Sequence, residues 1–254
     1  MNSKSITILC CSALVLLSAC RTNYHLSGIE RTRIVIDSKY DKQPDVTVKT
    51  LMAPYKHAVD SIMSPVVGST ARYLAAHRPE SPLSNLLADI LVWGAKPYNE
   101  NIDFAVYNMG GIRAAFAKGA ITYGDVVDVA PFENKICFLT LTGEQVKRLF
   151  EQMASVGGEG LSNGVQLLIT KDGKLKKALI HGKEIVPTDT YRIATLDYLA
   201  QGNDKLEAFK EKTNLNSPQD FHSNVRFIIM DYFKEKAAQG LQVDAYEEGR
   251  NCVE

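Results

Sequence analysis

Ile102-Asp103-Phe104-Ala105-Val106-Tyr107 runs directly into Asn108-Met109-Gly110-Gly111-Ile112-Arg113, and the reading of this stretch decides the fold. Its first half is short and apolar, with β-branched and aromatic residues, which predicts a central strand. Paired glycines after a strand let backbone approach a ligand closely. Arg113 then presents a planar fork suited to a phosphate or a carboxylate. The same residues also read as a plain Gly-Gly turn before a surface arginine.

Upstream of that strand, Ser81 is placed to cap a helix and Pro82 suits its first turn. Leu83, Leu86, Leu87, Ile90 and Leu91 recur at helical spacing and form one apolar stripe, which Gly94 and Pro97 terminate. Ser64 to Gly68 resembles the start of a strand, and residues 48–63 look helical with Pro54 as a flaw. Thr32 to Ile36 is a short strand candidate. Downstream, Asn134 to Leu141 predicts a strand and Thr142 with Gln145 predicts a capping box. Val146, Leu149, Phe150 and Met153 give the helix that follows, which Gly157-Gly158 stops. Val165–Ile169 and Leu175–Ile180 predict a hairpin through Asp172-Gly173. Tyr191–Leu196 is the last clear strand, and Val225, Ile228, Ile229, Tyr232 and Phe233 mark a final amphipathic helix. Strands and helices are interspersed, so we expect an α/β (α+β) chain: a single domain with a mixed β-sheet flanked by helices.

The 254 residues carry 29 basic and 29 acidic side chains. Zero formal charge argues against nucleic acid as a partner, since phosphate backbones demand a basic excess. It leaves room for a single nucleotide. Residues 1–20 read as a leader: Lys4, an uncharged run from Ile6 to Ala19, then Leu17-Ser18-Ala19-Cys20. That ending resembles a bacterial lipobox, in which the cysteine is acylated. We therefore expect lipidation at Cys20 and a periplasm-facing lipoprotein anchored in a membrane. Residues 21–47 read as a tether and N-terminal extension, and 48–254 as the folded domain. After cleavage Cys137 and Cys252 are the remaining thiols, and Cys137 lies in an apolar run that predicts a buried core thiol.

The five histidines (His25, His57, His77, His181 and His222) lack metal-ligand spacing, and neither a GxSxG elbow nor a phosphate loop is present. His181 reads as an exposed turn residue. Four ordered segments stand out instead. They are Asn108–Arg113; Ile121-Thr122-Tyr123-Gly124-Asp125 leading to Pro131-Phe132-Glu133-Asn134; Gly157-Gly158 with Ser162-Asn163-Gly164; and Thr195 to Asp204. In this order, from about Val67 almost to the C-terminus, the chain resembles the C-terminal domain of the 5′-nucleotidases, the UDP-sugar hydrolase and ecto-5′-nucleotidase family. That family's pattern runs N-G-G-G-I-R, I-T-Y-G-D, P-F-G-N and F-L-A-x-G-G-D-G.

The resemblance implies a substrate-binding domain in which Phe132 and Tyr198 sandwich a nucleobase. Without it, core packing would explain either ring. It further implies that Asn108 and Asn134 hydrogen-bond the base, that Asp204 accepts from ribose hydroxyls, and that Arg113 faces the phosphate or ribose side. Gly110 and Gly111 supply the close backbone, and Gly157 or Gly158 the pocket rim. Arg78 lies near a second family arginine but about one residue out of register, so a plain surface charge competes with a substrate role. Met109, Glu133, Asn203 and Lys205 stand where the pattern has glycine. Lysine tolerates positive φ poorly, so a reshaped loop around Asp204 is expected.

In the family a separate metallophosphatase domain does the cutting. The residues between Cys20 and Val67 are too few for one, given domains of roughly 50–250 residues. The expectation is therefore a nucleotide-binding subunit with no catalytic residues and no cofactor of its own. It would work with a separately encoded metallophosphatase that holds a divalent metal pair. The alternative is a free-standing nucleoside- or nucleotide-binding lipoprotein.

Overall fold

The computed structural model describes residues 24–42 and 45–254. Cys20 and its leader lie outside them. The chain divides into two units, Met1–Leu51 and Met52–Glu254. In the described part of the first unit, residues 24–37 carry no regular secondary structure, followed by a 3-10 turn at Tyr40–Lys42. The expected strand at Thr32–Ile36 does not form. Its β-branched run pairs with no strand among the described residues, and an unpaired strand is not stable in water. Helix α1 (Val46–Met63) forms as expected despite the internal Pro54.

The second unit contains α2 (Pro82–Trp93), α3 (Tyr123–Val129), α4 (Gly143–Ser155), α5 (Asp197–Ala200) and α6 (Val225–Ala238). Its strands are β1 (Val66–Thr70), β2 (Phe104–Tyr107), β3 (Gly119–Thr122), β4 (Ile136–Thr142), β5 (Gly160–Leu161) and β6 (Val165–Ile169). They continue as β7 (Leu175–Ile180), β8 (Lys183–Glu184), β9 (Thr190–Leu196), β10 (Thr213–Asn216) and β11 (Asn251–Val253). The main sheet has the order β10-β4-β9-β2-β5, a second has β11-β6-β7-β8, and β1 pairs with β3. The architecture is α/β with a mixed sheet, as expected.

Local chemistry explains the elements. Ser81 Oγ accepts from the Ser84 N–H at 3.3 Å and Pro82 opens α2. The α2 stripe Leu83, Leu86, Leu87, Ile90 and Leu91 is buried, and removing one such leucine side chain costs about 2–5 kcal/mol. Gly94 follows the last turn of α2 at a point of close approach, where a Cβ would sit 2.6 Å from Ile228 Cγ2. Both halves of the Thr142–Gln145 capping box form. A second box forms at Thr122–Asp125, so the I-T-Y-G-D segment has a structural role as the start of α3. Phe104 packs against Phe150 and Phe116 against Phe233, with ring centroids 5.3 Å apart in each pair. Cys137 is fully buried and Cys252 exposed, and both are free thiols.

Five strands escaped the sequence reading: the short β3, β5 and β8, and the two edge strands β10 and β11. β10 is an exposed polar edge, Thr213-Asn214-Leu215-Asn216, with no alternation to betray it. β11 has only three residues and gains its ladder by running parallel to β6.

The register of the main sheet positions the site. β4 and β9 are antiparallel, from Ile136 opposite Leu196 to Thr142 opposite Thr190. Residues just before β4 and just after β9 therefore emerge at the same end. β2 is parallel to β9, with Phe104 opposite Ile193, so Asn108 leaves the sheet at that end too.

Candidate functional site

Three segments meet at this end of the sheet: the turn after β2, the loop before β4, and α5 with the loop behind it. They enclose a cleft of about 200 Å³ lined by Asn108, Gly110, Gly111, Phe132, Asn134, Tyr198 and Asp204. All seven are residues that the sequence singles out. Phe132 is 49% exposed and Tyr198 39%, so neither ring is committed to the core.

Each ring sits on a fastened backbone. Arg226 donates from Nε to the Ala130 carbonyl at 3.2 Å and from Nη2 to the Pro131 carbonyl at 2.6 Å. The Val225 N–H donates to the Asn134 carbonyl at 3.0 Å. The start of α6 thus holds the Phe132 loop from behind. Asp197 joins that loop to the other ring. Its Oδ1 accepts from the Lys135 N–H at 3.1 Å and from the Tyr198 N–H at 2.8 Å, while its own N–H donates to the Lys135 carbonyl at 2.9 Å.

Asp204 is held on both oxygens. Asn108 Nδ2 donates to Oδ2 at 2.6 Å, and the Tyr198 hydroxyl donates to Oδ1 at 2.9 Å. The hydrogen bond to the Asp204 carboxylate raises the Tyr198 phenol above its ordinary pKa. Asn203 Nδ2 donates to the Tyr198 carbonyl at 2.7 Å. Asp204 and Lys205 both occupy the left-handed region, at φ +55° and +65°. Lys205 thus accepts the backbone geometry that suits glycine, at a cost of about 1–3 kcal/mol for such a residue. Gly111 is required by close approach, since a Cβ there would lie 2.6 Å from Asn108 Oδ1. That buried oxygen has no hydrogen-bond partner among the described residues.

The other expected residues lie apart from the cleft lining. Arg113 is exposed, with Nη1 3.4 Å from the Gly110 carbonyl. Arg78 pairs with Glu159, and its Nε donates to the Gly158 carbonyl at 2.9 Å. Gly158 is buried at φ +101°, where a Cβ would lie 2.5 Å from the Pro79 carbonyl oxygen. Arg78 and Gly158 therefore brace one another.

The sequence reading missed Glu159, whose side chain is 1% exposed. One of its oxygens accepts from the Met109 N–H, the other from Arg78, so it anchors the turn that carries Gly110 and Gly111. Burial pushes its carboxyl above the usual range, against the opposing pull of Met109 and Arg78. A lone acid inside Gly157-Gly158-Glu159-Gly160 was the signal that could have found it. Asp197 and Arg226 were likewise missed as supports of the rings, because their partners are backbone atoms distant in sequence.

His181 is an exposed turn residue at φ +49°, with Nε2 2.9 Å from the Asp103 carbonyl. Among the described residues no group of three His, Cys, Asp or Glu side chains is placed to hold a metal ion. No described helix is long and apolar enough to cross a membrane.

Residues 66–211 match the family described as 5′-nucleotidase, C-terminal domain. The protein UshA of Escherichia coli (strain K12) is 28% identical over 203 residues, covering 78% of this chain and 36% of that protein. Endonuclease YhcR of Bacillus subtilis is 29% identical over 197 residues, or 73% of this chain and 16% of its own length. Among solved structures, the 5′-nucleotidase precursor from Thermus thermophilus superposes with a TM-score of 0.69 at 25% identity, covering 82% of this chain and 43% of that one. The chain thus spans less than half the length of each of these relatives.

Proposed function

The chain belongs to the 5′-nucleotidase C-terminal domain family, and from that premise we propose that it is the nucleotide-binding subunit of a split periplasmic 5′-nucleotidase. The observation that carries this reading is the convergence of Phe132 and Tyr198 on one cleft that Asp204 and two asparagines also line. Two solvent-facing rings on fastened backbone suit a flat base, and each stacked face adds roughly 0.5–1.5 kcal/mol beyond area burial. Asn134 borders the base, Asp204 takes the ribose hydroxyls, and Arg113 at the exposed rim faces the phosphate.

Hydrolysis belongs, in this proposal, to a separately encoded metallophosphatase with its own pair of divalent ions. Such ions neutralise the transferring phosphoryl group and activate water. This chain's residues bind and orient; positioning contributes once the catalyst meets the substrate. Lipid on Cys20 would hold the subunit at a membrane facing the periplasm.

The test is binding, then activity. Purified chain should bind AMP by calorimetry, and Phe132→Ala or Tyr198→Ala should each cost roughly 1 kcal/mol or more. Alone it should release no phosphate from AMP with added Mn²⁺ or Mg²⁺, and release should begin when an exported metallophosphatase is added. Robust metal-dependent hydrolysis by this chain alone would falsify the subunit assignment. Tight binding with no activation of any such enzyme would favour a free-standing binding lipoprotein.

A further inference from the structure

Tyr198 brings to the cleft a group that stacking does not need. Phenylalanine would offer the same ring face, yet the Tyr198 hydroxyl donates to Asp204 Oδ1 at 2.9 Å. The opposite oxygen, Oδ2, takes Asn108 Nδ2 at 2.6 Å. A carboxylate has roughly four acceptor positions, two on each oxygen. The protein fills one on each side, which fixes the carboxylate plane and leaves one acceptor position per oxygen. The residual pair is matched to a ligand offering two adjacent hydroxyl donors.

The backbone supports that division. Asp204 and Lys205 are both left-handed, so the carboxylate projects from a turn with little freedom to follow a ligand. Gly110 lies beside the Asn108 side, where even a Cβ would only touch Oδ2, at 3.5 Å. On the Tyr198 side, Asn203 Nδ2 holds the Tyr198 carbonyl at 2.7 Å, tying the ring's own backbone to the turn. The ring that would hold the base and the carboxylate that would hold the sugar are therefore one hydrogen-bonded unit.

We propose that the Tyr198 hydroxyl is a specificity determinant: by locking Asp204 it makes the cleft select a vicinal diol, and hence a ribonucleotide over its 2′-deoxy counterpart. The proposal rests on the nucleotide reading above and adds to it the source of sugar selectivity. A deoxy sugar leaves one aligned acceptor position of a fixed carboxylate without a donor, and a locked group cannot turn to recover it. With the lock removed, Asp204 can rotate and re-pair, so the penalty shrinks.

The experiment compares AMP with dAMP by calorimetry on wild type, Tyr198→Phe and Phe132→Ala. Wild type should prefer AMP, and Tyr198→Phe should reduce the AMP-to-dAMP affinity ratio about fivefold, the factor that one ordinary net hydrogen bond is worth. Phe132→Ala should weaken both ligands alike and keep the wild-type ratio, which separates selectivity from stacking. A ligand-free measurement accompanies it: ¹³Cζ-tyrosine NMR titration, with the Tyr198 signal identified by its loss in Tyr198→Phe. Asp204→Asn should lower that residue's titration midpoint, because the hydroxyl loses its anionic acceptor. Wild type that binds AMP, but with a ratio unchanged or increased in Tyr198→Phe, overturns the lock and leaves the nucleotide reading standing. An unmoved midpoint in Asp204→Asn overturns it as well. Failure of wild type to bind either nucleotide overturns both.

Discussion

The Lys135 N–H and the Tyr198 N–H share a single acceptor, Asp197 Oδ1, at 3.1 and 2.8 Å. Lys135 ends the loop that carries Phe132, so one carboxylate oxygen sets the separation of the two rings. Asp197→Ala leaves both rings present but removes what spaces them, and should weaken AMP binding by about 1.5–3 kcal/mol, the scale of hydrogen bonds to a charged group. Asp197→Asn keeps an acceptor oxygen and should lose much less. Calorimetry on the two variants reads the difference; equal losses would show that charge, not spacing, matters.

Arg113 stands at the exposed rim beside the Gly110 carbonyl. Arg113→Lys keeps the positive charge and removes the planar fork. Affinity for AMP should fall several-fold more than affinity for adenosine, since about 1.4 kcal/mol is tenfold. Parallel losses for the two ligands would count against a phosphate role.

Glu159 is a buried carboxylate serving the Met109 N–H and Arg78. Glu159→Ala should strand that buried N–H and lower stability by about 1–3 kcal/mol in urea unfolding. Nucleotide affinity should fall with it, because the Asn108–Gly111 turn loses its anchor. A stable variant with wild-type affinity would remove Glu159 from the supporting frame.

Burial pushes the Cys137 thiol up from 9.0 to about 12. At pH 8 it should resist iodoacetamide in the native protein while exposed Cys252 is alkylated, as mass spectrometry of the digested product would show. The folded value lies above the unfolded one, so this group's contribution is complete below pH 9 and is lost as pH rises toward 12. Fast native alkylation of Cys137 would contradict its burial.

Much of the fold was legible because its signals are local. The Ser81-Pro82 start, the Thr142–Gln145 box and the leucine stripe of α2 are set by neighbours within a few residues. The short apolar runs of β4, β6 and β9 likewise announce themselves. Thr32–Ile36 carries a similar pattern and forms no strand, whereas Thr213–Asn216 carries none and forms one. The difference lies in whether the tertiary fold brings a partner edge, since ladder hydrogen bonds are non-local.

The site divides the same way. By itself the sequence determined which motifs are present, and with them the family, the two rings, the asparagines and Asp204 as candidates. Only the tertiary structure decided that seven of those residues share one cleft, while Arg78 and Gly158 brace each other beside it. It also decided that the loop around Asp204 keeps its left-handed turn despite Lys205, and that Tyr198, Asn108 and Asp204 act as one unit. Motif chemistry is written in side-chain identity along the chain. Convergence depends on the β4–β9 register and the parallel β2–β9 pairing, which bring residues up to 96 positions apart into hydrogen-bond contact.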